Sequence, residues 1–216
     1  MAGSVFEFRG VEDLYFAHVI EDSEEKFTTT TPKRLAYVAT IAKEVETSSE
    51  THFYDNKGMI VIAAKGAETF TLTVAPPALG ILAEITGQAF DVTRGMLIEG
   101  AVTPRQFAIG YKAKGTDGFW RFVWKYKGMF SIPSEEVNTE SDSIDTTNTE
   151  LTFTAVNTIH KFAYRDDVEA ATSGSGTTYN QSVSGIIVDE RYERAGNLDE
   201  WFTKVMTPED VVVKTA

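Results

Sequence analysis

The chain has 216 residues and a formal net charge of −12, from 32 acidic against 20 basic side chains. Such a length fits one β-rich domain or two small ones with a sizeable core, and an acidic surface disfavours gripping nucleic acid, where phosphate contacts need basic groups. The absence of cysteine excludes disulfides, thiolate metal sites and cysteine nucleophiles.

No apolar run approaches the roughly 18 residues of a membrane span. The start MAGSVFEFRG lacks the basic-then-apolar order of a signal peptide, so an unexported product is expected. Residues 1–10 read as an N-terminal arm. Val11–Ile20 is a strand apolar on both faces. After a connection over Glu21–Thr31 closed by Pro32, Lys33–Ala42 follows, with Leu35, Tyr37, Ala39 and Ile41 on one face of a second strand. From Lys43 to Asn56 (KEVETSSETHFYDN) the apolar period is lost. This polar segment, bounded at 43–58, is either an ordinary surface loop or a protruding hairpin that touches another subunit through Phe53 and Tyr54.

Glu68–Val74 is the cleanest strand, with Phe70, Leu72 and Val74 inward and threonines outward. Pro76-Pro77 ends it and opens a helix over about 77–86, in which Leu79, Leu82 and Ile85 recur at helical spacing and Gly87 stands at the C-terminal cap. Pro104–Pro133 reads as a β-hairpin turning at Gly115-Thr116-Asp117-Gly118. In its second strand Trp120, Phe122, Trp124 and Tyr126 share one face and are expected to be core. Arg121, Lys125 and Lys127 form a basic stripe on the other face, read as outward. The next segment, Ser134–Glu150, contains no basic residue and carries Glu135, Glu136, Glu140, Asp142 and Asp145. Leu151–Val156, Ile159–Tyr164 and Ile186–Val188 are strand candidates, residues 166–185 hold a Gly/Ser-rich flexible loop, and 206–216 form a C-terminal arm.

The search for chemistry is negative. His18, His52 and His160 are scattered, no nucleophile elbow or phosphate loop is present, and the carboxylates around Asp142 lack the ligand ladder of a calcium loop. No catalytic residue, cofactor or metal is expected, and the chain does not read as an enzyme.

The segments GVEDLYFA (Gly10–Ala17), TPKRLA (Thr31–Ala36) and Phe107–Ala155, with its GYKAKGTDGFWRFVWKYKGMF core, agree in order and spacing with one family. They resemble the major tail proteins, or tail-tube proteins, of long-tailed, non-contractile phages and prophages of Gram-positive bacteria. The resemblance covers about residues 10–160, and the Trp201-Phe202-Thr203 end is similar too. It implies a single mainly-β domain over 1–216, sandwich- or barrel-like, with one flanking helix. It also implies hexameric rings that stack into a tube conducting DNA into the host. The partners implied are further copies of the chain and other tail proteins (tape measure, terminator, distal tail), with DNA passing through unbound and no membrane insertion. The location implied is the virion tail, assembled in the host cytoplasm. By the same resemblance, Glu44, Glu46, Phe53, Tyr54, Arg121, Lys125 and Lys127 become candidates for contacts between subunits or rings. Glu135, Glu136, Glu140, Asp142 and Asp145 become candidates for an acidic lumen or interface. The other class of reading is a monomeric β-sandwich binding module, for instance one holding carbohydrate on Trp120 and Trp124.

Overall fold

A computed structural model describes residues 5–134, 148–166, 176–192 and 196–212. The elements in chain order are β1 (Phe8–Asp22), β2 (Phe27–Thr29), β3 (Lys33–Ala36), β4 (Val38–Tyr54), β5 (Lys57–Val74), α1 (Leu79–Thr86), β6 (Ala89–Asp91) and β7 (Met96–Ile98). They continue with β8 (Phe107–Gly115), β9 (Trp120–Phe130), β10 (Thr149–Ala155), β11 (Phe162–Asp166), β12 (Thr177–Gln181) and β13 (Gly185–Asp189), then a short 3-10 turn at Leu198–Glu200. The described chain is mainly β, with one α-helix.

Among the described residues the main sheet runs β2-β1-β8-β9-β10-β5-β4, with β13 added on β9 and β3 on β1. Every pairing in it is antiparallel. The sheet curls until its edges meet. Only Tyr37 separates β3 from β4, yet β3 pairs with β1 and β4 pairs with β5, so one stretch of chain joins both sides. Alternation then decides the core. Leu14, Phe16, Leu35, Phe70, Leu72, Val74, Phe107, Ile109, Leu151 and Phe153 come from strands all along the path and form one buried cluster inside the curl. The helix closes it with Ile81, Leu82 and Ile85. Its end follows from Gly87, whose φ of 74° places it in the left-handed region and lets its neighbour Gln88 N–H reach the Ala83 carbonyl.

The opposite face of β1, β8 and β9 carries a second cluster: Ala17, Ala108, Trp124 and Tyr126, covered by Phe162, Trp201, Val205 and Met206. The Trp124 indole N–H donates to the Trp201 carbonyl at 3.0 Å, and the Tyr126 hydroxyl donates to the Met206 carbonyl at 3.0 Å. These bonds satisfy the polar ends of two buried rings. The aromatic core role expected of Trp124 and Tyr126 is therefore observed, while Trp120 and Phe122 are half-buried.

Three expectations need correction. Of the two readings of the segment 43–58, the ordinary loop is corrected and the hairpin form is observed, since β4 and β5 pair continuously through it. Both proposed arms also pack on the body as far as they are described. Strand β1 begins at Phe8, and Met206 is fully buried with Val211 packed beside its cluster. Of the expected flexible loop, Thr177–Gln181 pair as β12 with β11 and Gly185 opens β13, while 167–175 lie outside the described residues.

Candidate assembly surface

Strands β4 and β5 are the longest of the fold, and the chemistry of their outer halves differs from that of their inner halves. β5 is held on both sides only as far as Glu68, where its pairing with β10 ends opposite Ala155. Beyond that point β4 and β5 continue alone as a two-stranded ribbon to the turn at Asp55-Asn56. Both turn residues have positive φ, 49° and 59°, as a two-residue hairpin loop of the I′ kind demands.

The ribbon carries its apolar side chains in the open. Phe53, Tyr54, Met59, Ile60, Val61 and Ile62 are all exposed, with Val61 at 66% and Phe53 at 68%. Ile60 and Ile62 lie on one face opposite His52 and Glu50, and Val61 lies on the other opposite Thr51. Strand β5 is thus apolar on both faces, whereas β4 presents Glu44, Glu46, Glu50 and hydroxyl groups to solvent. Strand β4 also ends the sheet order, so its outer edge holds no further strand among the described residues. An exposed edge with apolar side chains on both faces is a surface made to be covered.

At the ribbon's root stands a buried ionic cluster. Glu68 is 1% exposed and is surrounded by three ammonium groups from three strands. Lys43 Nζ on β4 lies 2.9 Å from Oε2, Lys125 Nζ on β9 lies 2.6 Å from the same oxygen, and Lys65 of β5 pairs with Oε1. The contacts at Oε2 are close charge contacts, not aligned hydrogen bonds. Ser184 Oγ donates to Oε1 at 2.8 Å. Burial alone would raise the Glu68 carboxyl, but Lys125, Lys65, Lys43 and Ser184 hold it far below the usual carboxylate range. Burial lowers the Lys125 ammonium, against the attraction of Glu68, and repulsion from Lys43 and Lys65 adds to the lowering. Nearby Tyr111 is pushed up to about 12 by burial and by the Glu68 charge.

This geometry overturns the outward basic stripe. Lys125 and Lys127 are 4% and 8% exposed. Lys127 Nζ lies 2.6 Å from Asp22 Oδ2, and Asp22 also accepts from the Ile159 and His160 backbone N–H groups. Arg121 is bonded through Nε and Nη2 to Asp189 at 3.0 and 2.8 Å. The three cations face partners inside the subunit because acidic residues distant in sequence lie opposite them. Alternation along β9 reveals which side chains share a face, but not that the strand is covered on both. Of the remaining candidates, Glu46, Phe53 and Tyr54 stand exposed on the ribbon, and Glu44 stands exposed on β4 just before it. Glu135, Glu136, Glu140, Asp142 and Asp145 lie outside the described residues. The pattern of Glu68–Val74 shows Glu68 only as the first residue of a clean strand, because Lys43 and Lys125, which surround it together with Lys65, come from distant positions. A charged residue opening an otherwise apolar-and-threonine strand was its one signal.

Among the described residues no helix is long and apolar enough to cross a membrane, and no group of three or more His, Asp or Glu side chains is arranged to hold a metal ion. No model of a known protein family matches the chain, and no curated protein matches it in sequence.

Proposed function

We propose that the chain is a structural subunit that assembles with copies of itself, as stacked hexameric rings, into the tail tube of a long-tailed phage. The observation that carries this reading is the β4–β5 ribbon, which has an open edge and exposed apolar side chains on both faces. A second copy of the chain satisfies both needs at once, by covering the side chains and by supplying hydrogen-bond partners to the edge. Contacts of that kind that do not close along the axis generate a filament. The curled, mainly-β body with one helix at its end accords with the tube-protein resemblance of Gly10–Ala17, Thr31–Ala36 and Phe107–Ala155, and the net charge of −12 suits a conduit past which DNA slides.

The carbohydrate-binding alternative loses its platform. Trp124 is fully buried under Trp201, and Trp120 is half-covered with Lys112 and Lys114 ammonium groups 4.5 and 4.9 Å from its ring centroid. Negative-stain microscopy of the concentrated protein tests the tube reading: rings or tubes with a central hole are expected. Particles that stay monomeric at every concentration reject it. Replacing the ribbon by a two-residue turn is expected to abolish tubes while leaving a folded subunit, and unchanged tubes from that variant reject the ribbon's part.

A further inference from the structure

The root of the ribbon is irregular in a way that invites motion. Val45 pairs with Glu68 and Thr47 with Lys65, so two residues of β5, Gly66 and Ala67, oppose the single Glu46 of β4. This is a β-bulge, which bends and twists the strand that carries it. The space at Gly66 is tight, because a Cβ there would stand 3.0 Å from the Glu46 Cβ. Past the bulge only two strands remain, and a lone two-stranded hairpin is marginally stable in water. Among the described residues no backbone pairing beyond Glu68 joins the ribbon to the body.

The ionic cluster straddles this bulge and reaches both β4 and β5. Lys43 belongs to β4 just before it, and Lys65 to β5 just beyond it. Lys125 and Ser184 belong to β9 and to the residue preceding β13, which are body elements. Glu68 is the one group that all four contact. We propose that Glu68 is a positioning residue that, through Lys65, ties β5 just beyond the bulge to Lys43 of β4, to β9 and to the β13 entry, and so fixes the direction in which the ribbon projects from the bulge. Burial makes the contact of Glu68 with Lys125 strong, since two charges removed from water are little screened by salt, while Lys65 reaches the same carboxylate from the surface. It also makes the tie all-or-none, because releasing one partner leaves the others with uncompensated charge. The projection angle is a property of the subunit; its consequence for ring or tube growth rests on the function proposed above.

The absence of native cysteine makes the test direct. Cysteines introduced at the exposed positions Ser49, on the ribbon, and Glu99, on the body, carry two spin labels. Labelled chains are diluted in unlabelled chains, and the distance between labels is measured by pulsed electron resonance. The native background is expected to give one narrow distance. Glu68→Gln is expected to lose that single distance and give a broad distribution, with the near-ultraviolet circular dichroism of the tryptophan core retained. A second variant, Lys65→Ser, cuts only the ribbon-side tie and leaves Glu68 with Lys43, Lys125 and Ser184. It is expected to broaden the distance in the same way, and it decides the matter if Glu68→Gln does not fold. An unchanged narrow distance in a folded variant of either kind overturns the proposal. Tube formation is scored separately by microscopy. Tubes that never form with the native chain reject the tube reading and leave the distance result standing, whereas tubes that form normally beside an unchanged distance reject the anchor alone.

Discussion

Gly110 and Trp124 are cross-strand partners in the β8–β9 pair, and the indole ring lies directly over the glycine. A Cβ at Gly110 would fall 2.8 Å from three of the ring atoms, well inside contact distance. The ring in turn is held by its N–H bond to Trp201 and by Phe202, 6.0 Å away between centroids, so it has nowhere to retreat. Gly110→Ala is therefore expected to destabilise the subunit by roughly 1–3 kcal/mol, the usual range for overpacking. Urea unfolding followed by tryptophan fluorescence reads the loss, and an unchanged midpoint would show that the ring does not lie over the glycine. The sequence shows the alternation of Phe107, Ile109 and Tyr111 and treats Gly110 as a member of the other face. What it does not show is that this face is buried too, because the residues that cover it come from Trp201, Val205 and Met206, more than seventy positions away.

At the scale of elements the ribbon is the instructive case. Apolar periodicity finds strands that are half-buried, and it found β8, β9, β10 and the inner half of β5 for that reason. The helix was legible as well, since Pro76-Pro77 and Gly87 punctuate it at both ends. The outer half of β4 was not legible as a strand, because a ribbon with no core beneath it has no apolar face to alternate. The local signal was the dipeptide Asp55-Asn56, two of the few residues that accept the left-handed conformation a two-residue hairpin needs. That requirement is testable. Asn56→Val puts a β-branched side chain at a φ of 59° and is expected to weaken the turn by roughly 1–2 kcal/mol. The effect should stay local. Amides of the outer ribbon should exchange faster with solvent deuterium, while those of β5 from Glu68 to Val74, paired on both sides, keep their protection. Loss of protection throughout β5 would mean that the ribbon and the body unfold as one unit.

For the whole molecule, the cations and carboxylates that the sequence scatters are drawn into pairs that join its parts. Asp22 ties the end of β1 to β9 and to the 159–160 backbone, Glu68 ties β5 to β4 and β9, and Asp189 on β13 holds Arg121 of β9 and Arg191. In each of the three, burial alone would raise the carboxyl, and the bonds from backbone N–H groups and cations more than reverse it, so each stays ionised below its ordinary range. The sign for stability follows. The unfolded chain takes up protons first as the pH falls through its carboxylate values, 3.8 for Asp and 4.5 for Glu, while the folded chain resists. The unfolded state then binds more protons than the folded one, and stability drops with falling pH at about 1.4 kcal/mol for each pH unit and each such group. The stabilisation is fully present above about pH 5 and is lost progressively below pH 4, until the folded-state carboxylates themselves protonate. Thermal unfolding midpoints measured from pH 7 down to pH 2 should be flat at first and then fall steeply. Asp22→Asn, which leaves the buried Lys127 ammonium without its counter-charge, should lower the midpoint at pH 7 and make the acid fall shallower, because one of the groups that drives it is gone. An acid profile that keeps its full slope in that variant would remove Asp22 from the set of pairs that hold the parts together.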